Sequence, residues 1–415
     1  MKKPWRQGPR LRAAWRDRDS FGGASAANTL VLGGQLAART VAVVFLVILG
    51  PTAQGAVGVA QLIAVLGAGA LGLGLQTGLV KTSAVAETRA DASAAMWTTI
   101  AGSVLVTALA YAVISQVATA SLEVVVGLIA LPAQVTSQLI AAFALGTNRR
   151  TGFAAVTLAP FVLFAGALLA LAVVGKLTQD GALVAFAAAF AVAGVASAGA
   201  AAWWSPPALA RKPRGSPSFR LASRLLPGTL AQLANYRFDQ VVIATFLSTR
   251  QLGLYGFAVS ASEVGTLPGT GMANIILRRT SHDEGYRRAE TVPRLAGMAY
   301  FLALPVVPAV ALLIVLALPK YHDSLVPFVI LSAGAGAIGA SRVLAGWLTA
   351  RGFAWEGSRA ALVSLVVSVC GNLVLIPLFG IIGASVASTV AYSTAAIVLL
   401  RRLQREPRTF PAGAA

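Results

Sequence analysis

Long apolar segments alternate with short polar segments along nearly the whole chain. Read in order, the apolar segments predict twelve helices, each about as long as a bilayer is thick. Their approximate bounds are 25–49, 57–80, 95–117, 121–145, 152–174, 181–203, 225–247, 253–277, 295–318, 325–349, 357–378 and 380–400. The pattern therefore predicts an all-α polytopic membrane protein.

Composition agrees with this pattern. Hydrophobic residues make up 57% of the chain and charged residues 11%, and the mean hydropathy is +0.76, far from the values of a soluble domain. The single cysteine, Cys370, excludes an intrachain disulfide and a cysteine-based metal cluster. Neither a metal ion nor a cofactor is expected.

The net charge of +19 follows the predicted topology. Of the 33 Lys and Arg residues, 27 lie in the N-terminal tail, the even-numbered loops and the C-terminal segment, which share one side of the membrane. The opposite side has only Lys176, Arg250 and Lys320. By the positive-inside rule, both termini are cytoplasmic and the protein is expected in the cytoplasmic membrane. The basic charge is thus a topology signal, and nucleic acid is not expected as a partner.

An internal repeat appears when the chain is slid by 198 residues. Arg39 then falls on Arg237 and Gly55 on Gly253, as do Leu49 on Leu247, Gly58 on Gly256 and Ala60 on Ala258. Six helices in each half, with both termini on one side, require the halves to run parallel, and such halves usually bind substrate between them. The predicted organisation is a basic tail at 1–24, a lobe at 25–205, a basic linker at 206–224, a second lobe at 225–402 and a tail at 403–415.

Ionisable side chains interrupt the predicted spans at five positions: Arg39, Arg237, Asp239, Glu263 and Arg342. Each costs about 3 kcal/mol at the centre of a membrane helix, which indicates a polar interior. Three arginines give a positive cavity suited to a phosphate or diphosphate, and either carboxylate could take up a proton or a cation. The alternative is structural: the arginines could simply pair with the carboxylates and tie helices together.

Further polar side chains are candidates for the same cavity. On a helical wheel, Asp239 shares a face with several polar residues, whereas Arg237 points away, so these two are not expected to form an intrahelical pair. Lys81, at the cytoplasmic rim of the second helix, is a fourth candidate for binding the anion, with Arg39, Arg237 and Arg342. The remaining candidates for cavity residues are Gln35, Gln134, Gln138, Gln232, Asn235 and Tyr236.

Two stretches resemble a known family. One is an apolar helix carrying R-x-D, then a short loop and L-G-L-Y-G-F-A at Leu252–Ala258; the other is GNLVLIPLFGIIGASVASTVAY at Gly371–Tyr392. Both resemble polysaccharide flippases of the multidrug/oligosaccharidyl-lipid/polysaccharide exporter superfamily. The resemblance implies two six-helix lobes in a V around a central cavity. It also matches Arg39 and Arg237 to basic positions of the first and seventh helices, and Asp239 to the acid of R-x-D.

The function that the resemblance implies is translocation of a polyprenyl-diphosphate-linked oligosaccharide by alternating access. The expected partners are that substrate, membrane lipids, a coupling H⁺ or Na⁺, and other polysaccharide assembly proteins. A multidrug exporter of the same superfamily is the nearest alternative, although its cavity would favour acidic and aromatic residues. A polysaccharide polymerase or glycosyltransferase would need a large loop or a carboxylate cluster at one surface, so an enzyme is not expected. A scaffold of the assembly machinery is a third possibility.

Overall fold

The computed structural model describes residues 34, 37–72, 74–83, 86–117, 121–147, 149–205, 217–266, 268–270, 272–273, 292–351 and 353–405. This part of the chain is helical apart from its turns. The first half has α1 (Ala37–Leu49), α2 (Pro51–Leu71), α3 (Leu75–Ser83), α4 (Arg89–Val117), α5 (Leu122–Gly146), α6 (Arg150–Val173) and α7 (Gln179–Trp204). The second half has α8 (Pro217–Phe246), α9 (Thr249–Glu263), α10 (Val292–Phe301), α11 (Val306–Ala317), α12 (Leu325–Ala350) and α13 (Ala354–Arg405).

Each of the twelve predicted helices has a counterpart, and three of them are interrupted. The second predicted helix is divided into α2 and α3 because Gly74 adopts a left-handed φ of 66°, which ends the helical path. The eighth is interrupted after Glu263 by a 3₁₀ turn at Val264–Thr266, and residues 268–270 and 272–273 are α-helical again. The ninth is divided into α10 and α11 at Pro305, since proline cannot continue a helix from the preceding turn.

The hairpin predicted near the end of the chain is also present. The helix α13 breaks at Gly380, whose φ of 60° and ψ of −138° reverse the chain and give two arms at 354–379 and 381–405. A Cβ on Gly383 would lie 2.0 Å from the carbonyl oxygen of Leu375, so only glycine lets the two arms approach this closely. The tight turn thus depends on two glycines.

Helix α8 begins earlier than predicted, at Pro217 instead of 225. Its first turns pack on the first half of the chain, where Ala222 joins a buried cluster with Leu75, Leu79 and Met96.

A second buried cluster of the first half surrounds Phe186 and Phe190 of α7. The clusters of the second half are built on α9, α12 and α13. The chain thus forms two helical lobes, the N-lobe (α1–α7) and the C-lobe (α8–α13).

The two lobes contact each other at several places, among them Gly69 of α2 against Leu233 of α8 and the two zones described next. In the first zone α2 crosses α9, where Gly55 and Gly253 bring the backbones so close that a Cβ on either would lie within 2 Å of a carbonyl oxygen of the other helix. In the second zone α3 packs on the start of α8, and the hydroxyls of Thr82 and Ser218 lie 2.7 Å apart. The first zone adjoins the arginine-poor loops and the second the arginine-rich loops.

The outer surface of the described residues is strongly apolar. Trp203, Val173 and Val195 are 90%, 79% and 75% exposed, and many other large apolar side chains face outward. In the described part of the chain, seven helices are long and apolar enough to cross a membrane, counting α13 once. A surface of this kind is stable in lipid and not in water, as expected for a multi-pass membrane protein.

Candidate functional site

Charged side chains from both lobes meet at the lobe interface. Arg237 of α8 forms a salt bridge of 3.8 Å with Glu263 at the end of α9, and it donates a hydrogen bond of 3.2 Å to Gln240. Arg39 of α1 is exposed and lies within electrostatic range of Glu263 and Arg237, although no salt bridge of 4 Å or less joins it to Glu263. Its guanidinium lies 4.4 Å from the centre of the Phe161 ring, in cation–π contact.

This interface cluster carries two positive charges against one negative charge. Glu263 is half exposed, and a 3.8 Å separation in such a setting makes a weak pair. The two arginines are those that the 198-residue shift superposes, one from each lobe. The arrangement can bind an anion between the lobes and release Glu263 when it does so.

Asp239 lies elsewhere, in the interior of the C-lobe. It is 1% exposed and accepts three hydrogen bonds: from the hydroxyl of Tyr255 at 2.5 Å, from the hydroxyl of Ser388 at 2.9 Å and from the backbone N–H of Gln240 at 2.7 Å. It takes part in no salt bridge within the described residues, so the sequence was right that Arg237 and Asp239 do not pair. The carboxylate ties α8 to α9 and to the second arm of α13.

A third group of polar residues lines a pocket inside the C-lobe. Its polar lining residues are Gln232, Asn235, Tyr236, Ser341, Arg342 and Tyr392, contributed by α8, α12 and the second arm of α13. Arg342 donates hydrogen bonds to the hydroxyls of Thr266 and Thr270, and it forms no salt bridge within the described part of the chain. Four of the sequence candidates therefore meet here and not at the interface cluster.

The other sequence candidates are distributed as follows. Gln138 of α5 accepts a hydrogen bond from the side chain of Gln76 at 2.5 Å, which ties α3 to α5 in the N-lobe. Gln134, one turn earlier, is half-buried on the same helix. Gln35 lies outside the described residues, and of Lys81 only the backbone, in α3, is described.

The structural alternative holds for one pair only. Among the described residues Glu263 pairs with Arg237, whereas Asp239 is satisfied by neutral donors. Within the described residues Arg39 and Arg342 form no salt bridge, although Glu263 also acts on the charge of Arg39.

Sequence reasoning missed the residues that complete these sites. Tyr255 and Ser388, which hold Asp239, stand inside the two stretches that carry the family resemblance, but no role was assigned to them. Tyr392 of the pocket is the last residue of the second stretch. Phe161, which contacts Arg39, has no signal in the sequence, because nothing distinguishes it from the other two phenylalanines of α6, Phe153 and Phe164.

Two helical lobes with an apolar outer surface and a charged cluster at their interface are the architecture of a multi-pass membrane transporter. A family model described as polysaccharide biosynthesis protein matches residues 47–319 of the sequence. The chain therefore belongs to this polysaccharide biosynthesis family, and the resemblance to flippases of the exporter superfamily is confirmed. No curated protein sequence matches the chain.

Solved structures agree on the fold. The chain is similar to an inward-facing multidrug resistance transporter of the MATE family, within the MOP superfamily, at 16% identity and a TM-score of 0.64, covering 89% of this chain and 94% of that one. It is similar to the lipid II flippase MurJ in an inward closed conformation, at 12% identity and a TM-score of 0.69, covering 91% and 88%.

A third similar structure is described by the polarity of its binding pocket. It is a MOP superfamily transporter from Pyrococcus furiosus, whose reversed pocket polarity is said to suggest a different function, at 17% identity and a TM-score of 0.52, covering 92% and 93%. At these identities the likeness shows the two-lobe transporter fold alone. Together with the family, it places the chain among membrane flippases and exporters, and the matched structures are transporters rather than enzymes.

Proposed function

We propose that this protein translocates a polyprenyl-diphosphate-linked oligosaccharide across the cytoplasmic membrane by alternating access. The observation that carries the proposal is the excess positive charge at the interface cluster, with one arginine from each lobe. A diphosphate bridging Arg39 and Arg237 would neutralise both charges and hold the lobes on one substrate. The polyprenyl tail would stay in lipid, against the apolar outer surface.

The weak pair between Arg237 and Glu263 suggests how binding could be coupled to an ion. A diphosphate that takes Arg237 leaves Glu263 without its cation, at a half-exposed position between the lobes. In that state Glu263 is our first candidate to bind the coupling H⁺ or Na⁺. Asp239 is the second candidate for coupling, although its three hydrogen bonds give it a structural task as well.

The proposed orientation has both termini in the cytoplasm. It rests on the distribution of Lys and Arg, which are concentrated at the end of the molecule where α3 meets α8. In this orientation the Gly55–Gly253 crossing lies toward the outside. Other polysaccharide assembly proteins would then receive the glycan on that outer side.

The test is translocation of a fluorescent undecaprenyl-diphosphate oligosaccharide in proteoliposomes. We expect Arg39→Gln and Arg237→Gln each to lower the rate about tenfold or more, because each removes a charged hydrogen-bond donor to the diphosphate. The matched control is Arg250→Gln, which removes an exposed arginine paired with Asp323 outside the cluster and should leave the rate unchanged. If Arg39→Gln and Arg237→Gln both translocate the substrate at the rate of Arg250→Gln and of the intact protein, the proposal is contradicted.

A multidrug exporter is the second candidate, because one similar structure is a multidrug resistance transporter. Organic cations would be repelled by the net positive interface cluster. We therefore expect no dye efflux from vesicles loaded with a cationic dye. If vesicles that contain the protein lose the dye faster than dye-loaded vesicles without protein, the multidrug exporter is favoured instead.

A further inference from the structure

The pocket inside the C-lobe is separate from the interface cluster. The described lining residues all belong to the C-lobe, and they come from α8, α12 and both arms of α13. Part of its wall, including Gly357 and Ala360, lies at the start of α13, next to the arginine-rich loops. In the proposed orientation the pocket is therefore in the cytoplasmic half of the lobe, where a substrate made in the cytoplasm enters.

The chemistry of the pocket favours a ligand with a single negative charge. Among the described lining residues Arg342 is the one cation and none is acidic. The hydroxyls of Thr266 and Thr270 both lie at the Nη1 atom of Arg342, which leaves the Nη2 edge of the guanidinium for another acceptor. A guanidinium edge matches the planar carboxylate group in two parallel hydrogen bonds.

Asn235, Tyr236 and Tyr392 of the lining are of the kind that bind a sugar ring, and the other lining residues are mostly small and apolar. Asn235 donates to the hydroxyl of Ser364 at 2.9 Å, whereas its Oδ1 accepts no hydrogen bond from any described residue. Such an unsatisfied acceptor suits a hydroxyl donor. Tyr236 packs edge-on against Tyr392 with ring centroids 5.9 Å apart, which fixes both rings in the wall.

We propose that this pocket binds a carboxylate-bearing sugar residue of the transported glycan. The proposal rests on the proposed function, which supplies the glycan and assigns the diphosphate to the two interface arginines. A diphosphate would need more than the one cation that the pocket offers. A neutral sugar would leave the Arg342 charge uncompensated.

The experiment is isothermal titration calorimetry on the full-length protein in nanodiscs. The probes are two soluble oligosaccharides without lipid, identical except that one ends in glucuronic acid and the other in glucose. We expect the acidic probe to bind about tenfold or more tightly than the neutral one, and Arg342→Gln to abolish this difference. Arg342→Lys, which keeps the charge but loses the planar fork, should retain part of it.

Two further variants serve as controls for the location of the binding site. Ala361→Leu fills the pocket without touching the arginine and should weaken both probes, whereas Arg250→Gln removes an arginine elsewhere and should weaken neither. Equal binding of the two probes to the intact protein, or unchanged discrimination in Arg342→Gln, would overturn the proposal.

The outcome is separable from that of the proposed function. One outcome is that the proteoliposomes translocate no lipid-linked glycan but the acidic probe still binds in an Arg342-dependent way. This would contradict the proposed translocation and support the proposed sugar pocket. The other outcome is that translocation depends on Arg39 and Arg237 but the acidic and neutral probes bind equally tightly. This would support the proposed translocation and contradict the proposed sugar pocket.

Discussion

The crossing of α2 and α9 allows a sharp prediction, because two glycines related by the internal repeat contact each other there. A Cβ on Gly253 would lie 1.7 Å from the carbonyl oxygen of Pro51, and a Cβ on Gly55 would lie 1.9 Å from that of Thr249. The contacts are reciprocal, as a two-fold axis between parallel repeats requires. Since the opposing atoms are backbone, no side chain can rotate away.

The expected magnitude follows from these distances. Gly253→Ala forces the two helices apart by roughly 1.5 Å to reach ordinary contact. Overpacking of this kind costs about 1–3 kcal/mol, whereas alanine in place of glycine favours the helix by about 1 kcal/mol. The matched control is Gly256→Ala on the same helix, where a Cβ would meet nothing within 4 Å. It has the same propensity gain without the clash, so the two variants should differ by about 1–3 kcal/mol.

Two measurements check this prediction. The first is the thermal unfolding temperature in nanodiscs, which should be lower for Gly253→Ala than for Gly256→Ala. The second detects opening at the lobe contact without unfolding: in a Cys370→Ser background, Leu252→Cys should react faster with a membrane-impermeant maleimide when Gly253→Ala is added, because Leu252 is buried there. If the two glycine variants match in both measurements, the crossing is not a tight contact between the lobes.

Two further predictions concern the carboxylates. Tyr255→Phe removes a hydrogen-bond donor from the buried Asp239 and should lower the free energy of unfolding by about 1–3 kcal/mol, whereas Tyr111→Phe, at an exposed tyrosine, should change it little; equal unfolding temperatures would refute the assigned contact. If a carboxylate is protonated during transport, Asp239→Asn or Glu263→Gln should flatten the dependence of the translocation rate on pH. If both variants keep the pH profile and rate of the intact protein, neither carboxylate couples transport to protons.

The helices and their order could be predicted from the sequence because membrane helices satisfy their backbone hydrogen bonds internally. Apolar length therefore reports each helix without knowledge of its neighbours. The parallel repeat was visible because Arg39 and Arg237, and Gly55 and Gly253, keep a constant spacing. The break between the last two predicted helices, 357–378 and 380–400, was also local, since Gly380 alone provides the left-handed turn.

The grouping of the polar residues could not be predicted in the same way. A helical wheel placed Asp239 with Gln232, Asn235 and Tyr236, because all four share a face of α8. That face, however, passes two different neighbours along its length: near Asp239 it meets the hydroxyls of Tyr255 and Ser388, and one turn earlier it borders the pocket.

The sequence by itself thus determined which residues are membrane-embedded, polar and paired by the repeat, since burial in lipid and chain periodicity are local properties. Only the tertiary structure decided that Arg237 pairs with Glu263, that Asp239 bonds to a hydroxyl 149 positions away, and that Arg342 belongs to a pocket of the C-lobe. The physical reason is that a hydrogen bond or an ion pair acts over a few ångströms. Which groups come that close depends on how the helices cross, and helices in a membrane cross where small residues such as Gly55 and Gly253 permit it.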